Sequence, residues 1–175
     1  MELQQEFGET TLKSRISKFH PAVLVGVALA AILFRIHVPR FIPFLSYLEM
    51  PLLVTVYFTL MRRSQIHGVL TGSLIGLAQD SLSDAPLGMF GIVKTLVGFF
   101  AASLSQRFDV DNPAARGVLA FFFFAFHQFF YWVLGRALLA KSGEFDVQGA
   151  LLFGVLNGLV AVPLFSLLDK LRLKA

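Results

Sequence analysis

Five stretches of this chain carry no Asp, Glu, Lys or Arg: Phe19 to Phe34, Met50 to Met61, Ser64 to Gln79, Gly117 to Gly135 and Val147 to Leu168. A helix that crosses a bilayer needs about 20 mostly apolar residues, because lipid offers nothing to bond a free N–H or C=O. Several of the stretches fall short of that length, the second by the most. The second reaches back through Phe44 to Tyr47 if Glu49 is tolerated, and Ala85 to Gln106 adds a sixth span if Lys94 is tolerated. The pattern predicts an all-α, polytopic integral membrane protein with six transmembrane helices, over about 20–37, 44–61, 65–80, 87–107, 114–138 and 148–169. Residues 1–19 are then a cytoplasmic N-terminal tail, 20–169 the membrane domain and 170–175 a basic cytoplasmic tail.

Composition removes the soluble alternative. The chain is 56% hydrophobic and only 15% charged, against about a quarter charged in soluble domains. Six crossings use nearly all of the 175 residues. Met1 to His20 contains Glu2, Glu6, Glu9, Lys13, Arg15 and Lys18, too polar for the apolar middle of a cleavable signal peptide, so the first span is expected to stay in the mature protein. With no cysteine, disulfides and thiolate metal sites are excluded. The net charge of +4 does not point to nucleic acid, because the basic residues sit in short clusters between apolar stretches.

Those clusters orient the chain. Lys13, Arg15, Lys18, Arg62, Arg63, Arg107, Arg116, Lys170, Arg172 and Lys174 fall on one side, and only Arg35, Arg40, Arg136 and Lys141 on the other. Positive charge is retained on the cytoplasmic side, so both termini are expected in the cytoplasm. In Asp109-Val110-Asp111-Asn112-Pro113, Asn before Pro reads as a cap and first-turn proline that start the fifth helix. Pro86-Leu87-Gly88 reads as a turn.

Gly68, Gly72 and Gly76 are spaced four apart, which puts three residues without side chains on one helix face. Such a face lets another backbone approach closely, either a helix of this chain or a separate subunit. Gly91, Gly98 and Ala102, and Gly154 and Gly158, offer further smooth patches. The buried polar candidates are Glu49, Lys94 and His127. Charge in the bilayer costs about 2.5–3.5 kcal/mol on insertion scales, so Lys94 is expected to pair with Asp80, Asp84 or Glu49, as a structural ion pair or a ligand site. His127 lies in the aromatic run Phe121 to Trp132 and has no second histidine at helical spacing. It and Gln128 therefore read as interhelical hydrogen-bonding groups rather than metal ligands, with the phenylalanines facing lipid or a partner helix. No zinc, nucleophile-elbow or phosphate-loop motif is present, and neither a cofactor nor a catalytic residue is indicated.

Met50-Pro51-Leu52-Leu53-Val54-Thr55-Val56-Tyr57, then Gly68 to Asp80, then Pro86-Leu87-Gly88-Met89-Phe90-Gly91 together resemble the bacterial rod shape-determining MreD family. Shared features are a proline-led second span, a glycine-rich third span ending in Asp, and a Pro-Leu-Gly turn opening the fourth. Asn157-Gly158-Leu159 followed by Pro163 and a basic tail extends the match. The resemblance implies a non-enzymatic inner-membrane component of the cell-elongation machinery. Such a protein binds MreC and, through it, associates with MreB, RodA and its partner transpeptidase. It also implies a fold similar to the substrate-binding subunits of energy-coupling-factor transporters, and a structural or partner-binding role for Asp80, Pro86, Gly88 and Asn157. Glu49 and Lys94 are not part of the family pattern.

The first functional reading is accordingly a scaffold that presents a helix groove to the MreC transmembrane helix, with its basic clusters against membrane lipids and self-association left open. The alternative is the substrate-binding subunit of an energy-coupling-factor type vitamin transporter, with Glu49, Asp80, Lys94 and Asn157 lining an outward pocket. A membrane enzyme ranks last.

Overall fold

The computed structural model describes residues 19–172. Most of the expected N-terminal tail, and the last three residues of the C-terminal one, lie outside the described residues. Six α-helices follow one another: α1 (Pro21–His37), α2 (Met50–Arg62), α3 (Gln65–Leu82), α4 (Met89–Ser105), α5 (Pro113–Leu139) and α6 (Val147–Asp169). Three are long and apolar enough to cross a membrane, namely α5, α6, and α1 taken with the 3-10 turn that carries it to Arg40. Helices α2 and α4 are shorter and apolar.

The second helix departs from the expected boundaries. Phe44 to Tyr47 belong to a separate 3-10 turn, Pro43–Tyr47, and α2 begins only at Met50. A proline stands on each side of this break: Pro43 opens the 3-10 turn, and Pro51 occupies the first turn of α2, where its missing N–H is harmless. With 13 residues at 1.5 Å each, α2 is about 20 Å long, shorter than a hydrocarbon core of about 30 Å. It tolerates that length because the protein surrounds it: every residue from Pro51 to Met61 is buried.

Around α2 the chain forms two antiparallel hairpins. In the first, the Gly68, Gly72 and Gly76 face of α3 lies directly on the α4 backbone. A methyl group added at these glycines would collide with the carbonyls of Gly98, Lys94 and Phe90 respectively. Gly98 in turn accommodates the backbone of Gly68. In the second hairpin, Gly158 of α6 meets the carbonyl of Gly117, and Gly154 receives the ring of Phe121. Of the two readings of the glycine ridge, packing within the chain is the one observed. Helix α2 touches all five other helices, and α1 leans on α2 and α3 through one stripe, Ala28, Ala31 and Ile32, leaving Val25, Leu29 and Leu33 exposed.

The aromatic run of α5 does not present one surface. Phe123, Phe124 and His127 are buried whereas Phe122 and Phe129 are exposed, since consecutive residues distribute around a helix at 3.6 per turn. Asn112 caps α5 as expected, accepting from the Ala114 N–H at 2.9 Å with Pro113 in the first turn.

The α3–α4 contact generates a test. Gly72→Ala should lower stability by about 1–3 kcal/mol or more, because the backbone it meets cannot rotate away. Gly26→Ala on α1, where an added methyl meets nothing within 4 Å, should leave the melting temperature unchanged. Thermal unfolding of the two detergent-solubilised variants followed by size-exclusion chromatography checks both, and a Gly72→Ala protein as stable as wild type would refute the close-packed ridge.

Candidate functional site

Asp80 lies in the last turn of α3, where its carboxylate reaches the start of α4. Oδ2 accepts from the N–H groups of Gly88 and Gly91 at 3.0 and 2.9 Å, and Oδ1 from Phe90 at 3.0 Å. These are donors that the first turn of a helix leaves unpaired, and a negative charge there is favoured by the helix dipole. The turn that brings them round needs Gly88, whose φ of +92° suits a residue without a side chain. Pro86 sets the turn, its carbonyl accepting from Met89 N–H.

Asn157, fully buried on α6, repairs the break before α2. Its Oδ1 accepts from Glu49 N–H at 3.0 Å, and its Nδ2 donates to the carbonyls of Tyr47 and Phe153 at 2.8 Å. One amide thus bonds the chain on both sides of the interruption. Glu49 itself turns to α1, where Arg35 Nε donates to its Oε1 at 3.0 Å. The other carboxylate oxygen, Oε2, is buried without a partner.

Lys94 does not form the expected ion pair. The carboxylates of Asp80 and Glu49 are committed to α4 and to Arg35, and Asp84 is exposed in the turn beyond α3. Lys94 is entirely buried. Its Nζ lies 3.5 Å from His127 Nε2 and 4.4 Å from the centre of the Phe90 ring. For the ammonium to donate, Nε2 must be the unprotonated nitrogen, which leaves the ring hydrogen on Nδ1, an atom without a partner. Phe90 stacks on both His127 and Tyr131, with centroids 5.9 and 4.9 Å away. Of the interior charges of Lys94, Arg35, Glu49 and Asp80, only Arg35 and Glu49 are in contact. His127 does bond across helices, as the sequence suggested, whereas Gln128 makes no hydrogen bond among the described residues.

The candidates thus fall into two groups. Glu49, Asp80, Lys94, His127 and Asn157 share the interior near one end of the bundle. Gly68, Gly72 and Gly76 run away from it along the α3–α4 contact. Missing from the sequence reading is a second polar network at the opposite end. Asp169, closing α6, accepts from Arg116 at 2.6 Å, Arg172 at 2.7 Å and the Tyr57 hydroxyl at 2.8 Å. Asp111 lies 3.6 Å from Arg116 and 3.5 Å from Arg172. It ties α2, α5 and α6 together. A tyrosine amid the apolar residues of α2 was the available signal, because a buried phenol seeks a polar partner. Among the described residues no three His, Asp or Glu side chains gather in a manner that could hold a metal ion.

Substitutions at two positions separate structural polar groups from dispensable ones. Asp80→Ala strands three N–H groups and should cost about 2–4 kcal/mol, with Asp80→Asn intermediate because the amide keeps one acceptor. Lys94→Met should be neutral or stabilising by about 1–3 kcal/mol, since it removes a buried charge that lacks a contacting carboxylate. Melting temperatures of purified variants read both. A large loss in Lys94→Met would mean that the ammonium carries a stabilising pair not seen in this geometry.

The model of a family described as rod shape-determining protein MreD matches residues 17–174. No curated protein and no solved structure matches the chain.

Proposed function

The chain belongs to the MreD family of rod shape-determining proteins, and from that premise we propose that it is a multi-pass scaffold of the bacterial inner membrane that binds MreC within the cell-elongation complex. In this reading all six helices lie in the membrane with both termini in the cytoplasm. MreB, RodA and its transpeptidase are reached through MreC, and lateral peptidoglycan synthesis depends on the assembly without the scaffold performing chemistry. The family match over nearly the whole chain carries the proposal. The polar interior is consistent with it: Asp80 and Asn157 spend their hydrogen-bonding capacity on helix ends of this chain. No observation favours the vitamin-transporter alternative.

The glycine ridge of α3 is covered by α4, so a docking helix must use an outward face, where affinity comes from shape and close packing in lipid. The basic residues at the Arg62, Arg63 and Arg107 end are placed to meet anionic headgroups.

Tagged protein extracted in mild detergent should co-purify with MreC, and reporter fusions at the C-terminus should be active only in cytoplasmic form. Clean separation of the two proteins would remove the scaffold reading, and a C-terminus reporting from the outer side would remove the six-crossing topology.

A further inference from the structure

Between the end of α5, the turn that follows it and the start of α6 lies a cavity of about 450 Å3, inside the range of roughly 300–1,000 Å3 typical of small-ligand sites. Its walls are aromatic. Tyr47 stacks on Phe153 with centroids 3.7 Å apart, and Trp132 packs against Phe145 at 5.7 Å. The turn is pinned in place, because Trp132 Nε1 donates to the Gly143 carbonyl at 3.1 Å and Gly143 adopts a φ of +144°.

Charges of both signs stand around these rings. Asp146 is committed to α6, where it caps the helix through the Gly149 N–H at 2.8 Å. Arg136, Lys141 and Glu144 also line the cavity and form no ion pair among the described residues. The Arg136 guanidinium lies 5.3 Å above the Trp132 ring. A purely anionic ligand would meet Glu144, a purely cationic one would meet Arg136 and Lys141, and an uncharged one would use none of the three, which are exposed at the cavity mouth. A ligand that carries both charges a few bonds apart answers them together.

The surroundings decide what kind of molecule brings such a group. Leu138, Leu151 and Leu152 flank the cavity in sequence and are exposed on two of the three helices that are long and apolar enough to cross a membrane, where acyl chains would lie. Trp and Tyr at a helix end mark the level of lipid headgroups. We propose that this cavity binds the zwitterionic headgroup of a phospholipid, with the phosphate between Arg136 and Lys141 and the ammonium at Glu144 against the aromatic wall. Charge-assisted hydrogen bonds from a guanidinium to phosphate oxygens supply the directional part of the affinity. This site is independent of the proposed MreC contact, and a segment of a partner protein is the competing occupant.

Trp132 is the single tryptophan of the chain, so its fluorescence reports the cavity directly. Lipid-stripped full-length protein in detergent would be titrated with dihexanoyl phosphatidylethanolamine, dihexanoyl phosphatidylglycerol and free phosphoethanolamine. Native mass spectrometry would count the lipid retained. The expected result is a saturable response to phosphatidylethanolamine, with the other two weaker by roughly tenfold or more. Arg136→Gln with Lys141→Gln should weaken it by a similar factor. Glu144→Gln, which leaves the surroundings of Trp132 otherwise intact, should erase the preference over phosphatidylglycerol. Equal binding of phosphatidylglycerol would overturn the zwitterionic assignment, and free phosphoethanolamine binding as tightly as the lipid would overturn the lipid source. No saturable response, a response to MreC alone, or variants with wild-type affinity would overturn the site itself.

Discussion

A backbone N–H or C=O that cannot reach water must be bonded by the protein, and this chain interrupts its helices beside two buried polar side chains, Asp80 and Asn157. The break before α2 and the tight turn before α4 are the two such places in the polar end of the bundle. One side chain answers each. Asp80 bonds three N–H groups of the α4 start, and Asn157 bonds the chain on either side of the α2 break. Remove either and the neighbouring helix keeps its sequence but loses the group that makes its terminus tolerable in an apolar setting. Their requirement is geometric, which is why a carboxylate stands where several N–H groups converge and an amide where a donor and an acceptor must be met together.

Once the ends are fixed, close backbone contact does the rest. Lipid tails are as apolar as leucine, so burying leucine against leucine gives helices little reason to associate. The glycines of α3 instead allow its backbone to lie on that of α4, and those of α6 allow a tighter approach to α5. The larger apolar side chains of α3, Ile66, Leu70 and Leu74, are left exposed on its outer side. Helix α2, too short to cross alone, is held inside this frame.

The polar interior is more than a set of caps. Lys94 and His127 lie face to face with few partners, near an Arg35–Glu49 pair that leaves one carboxylate oxygen unbonded. Buried charges of this kind are costly in an apolar medium. The Phe90 ring offers the Lys94 ammonium a polarizable face, which offsets part of that cost. At the other end, Asp169 gathers Arg116, Arg172 and Tyr57, so α2 and the α5–α6 hairpin are tied there as well.

Membrane character, the six helical segments and the start of α5 were all legible in the order of residues, because hydropathy, prolines and caps act locally. The family was legible too, through Met50 to Tyr57, Gly68 to Asp80 and Pro86 to Gly91. The glycine spacing announced a contact but could not say with what, since a smooth face looks the same whether its neighbour is α4 or another protein. Partners of the buried charges were the least readable part. Lys94 stands in the sequence within reach of three carboxylates, yet each of them is claimed or turned away by groups from elsewhere in the chain, Glu49 by an arginine 14 residues before it and Asp80 by a turn that folds back on it. A short-range signal determined where this chain is helical and that it belongs in lipid. Only the tertiary structure decided which polar groups meet, because pairing depends on distances between helices that no local pattern encodes.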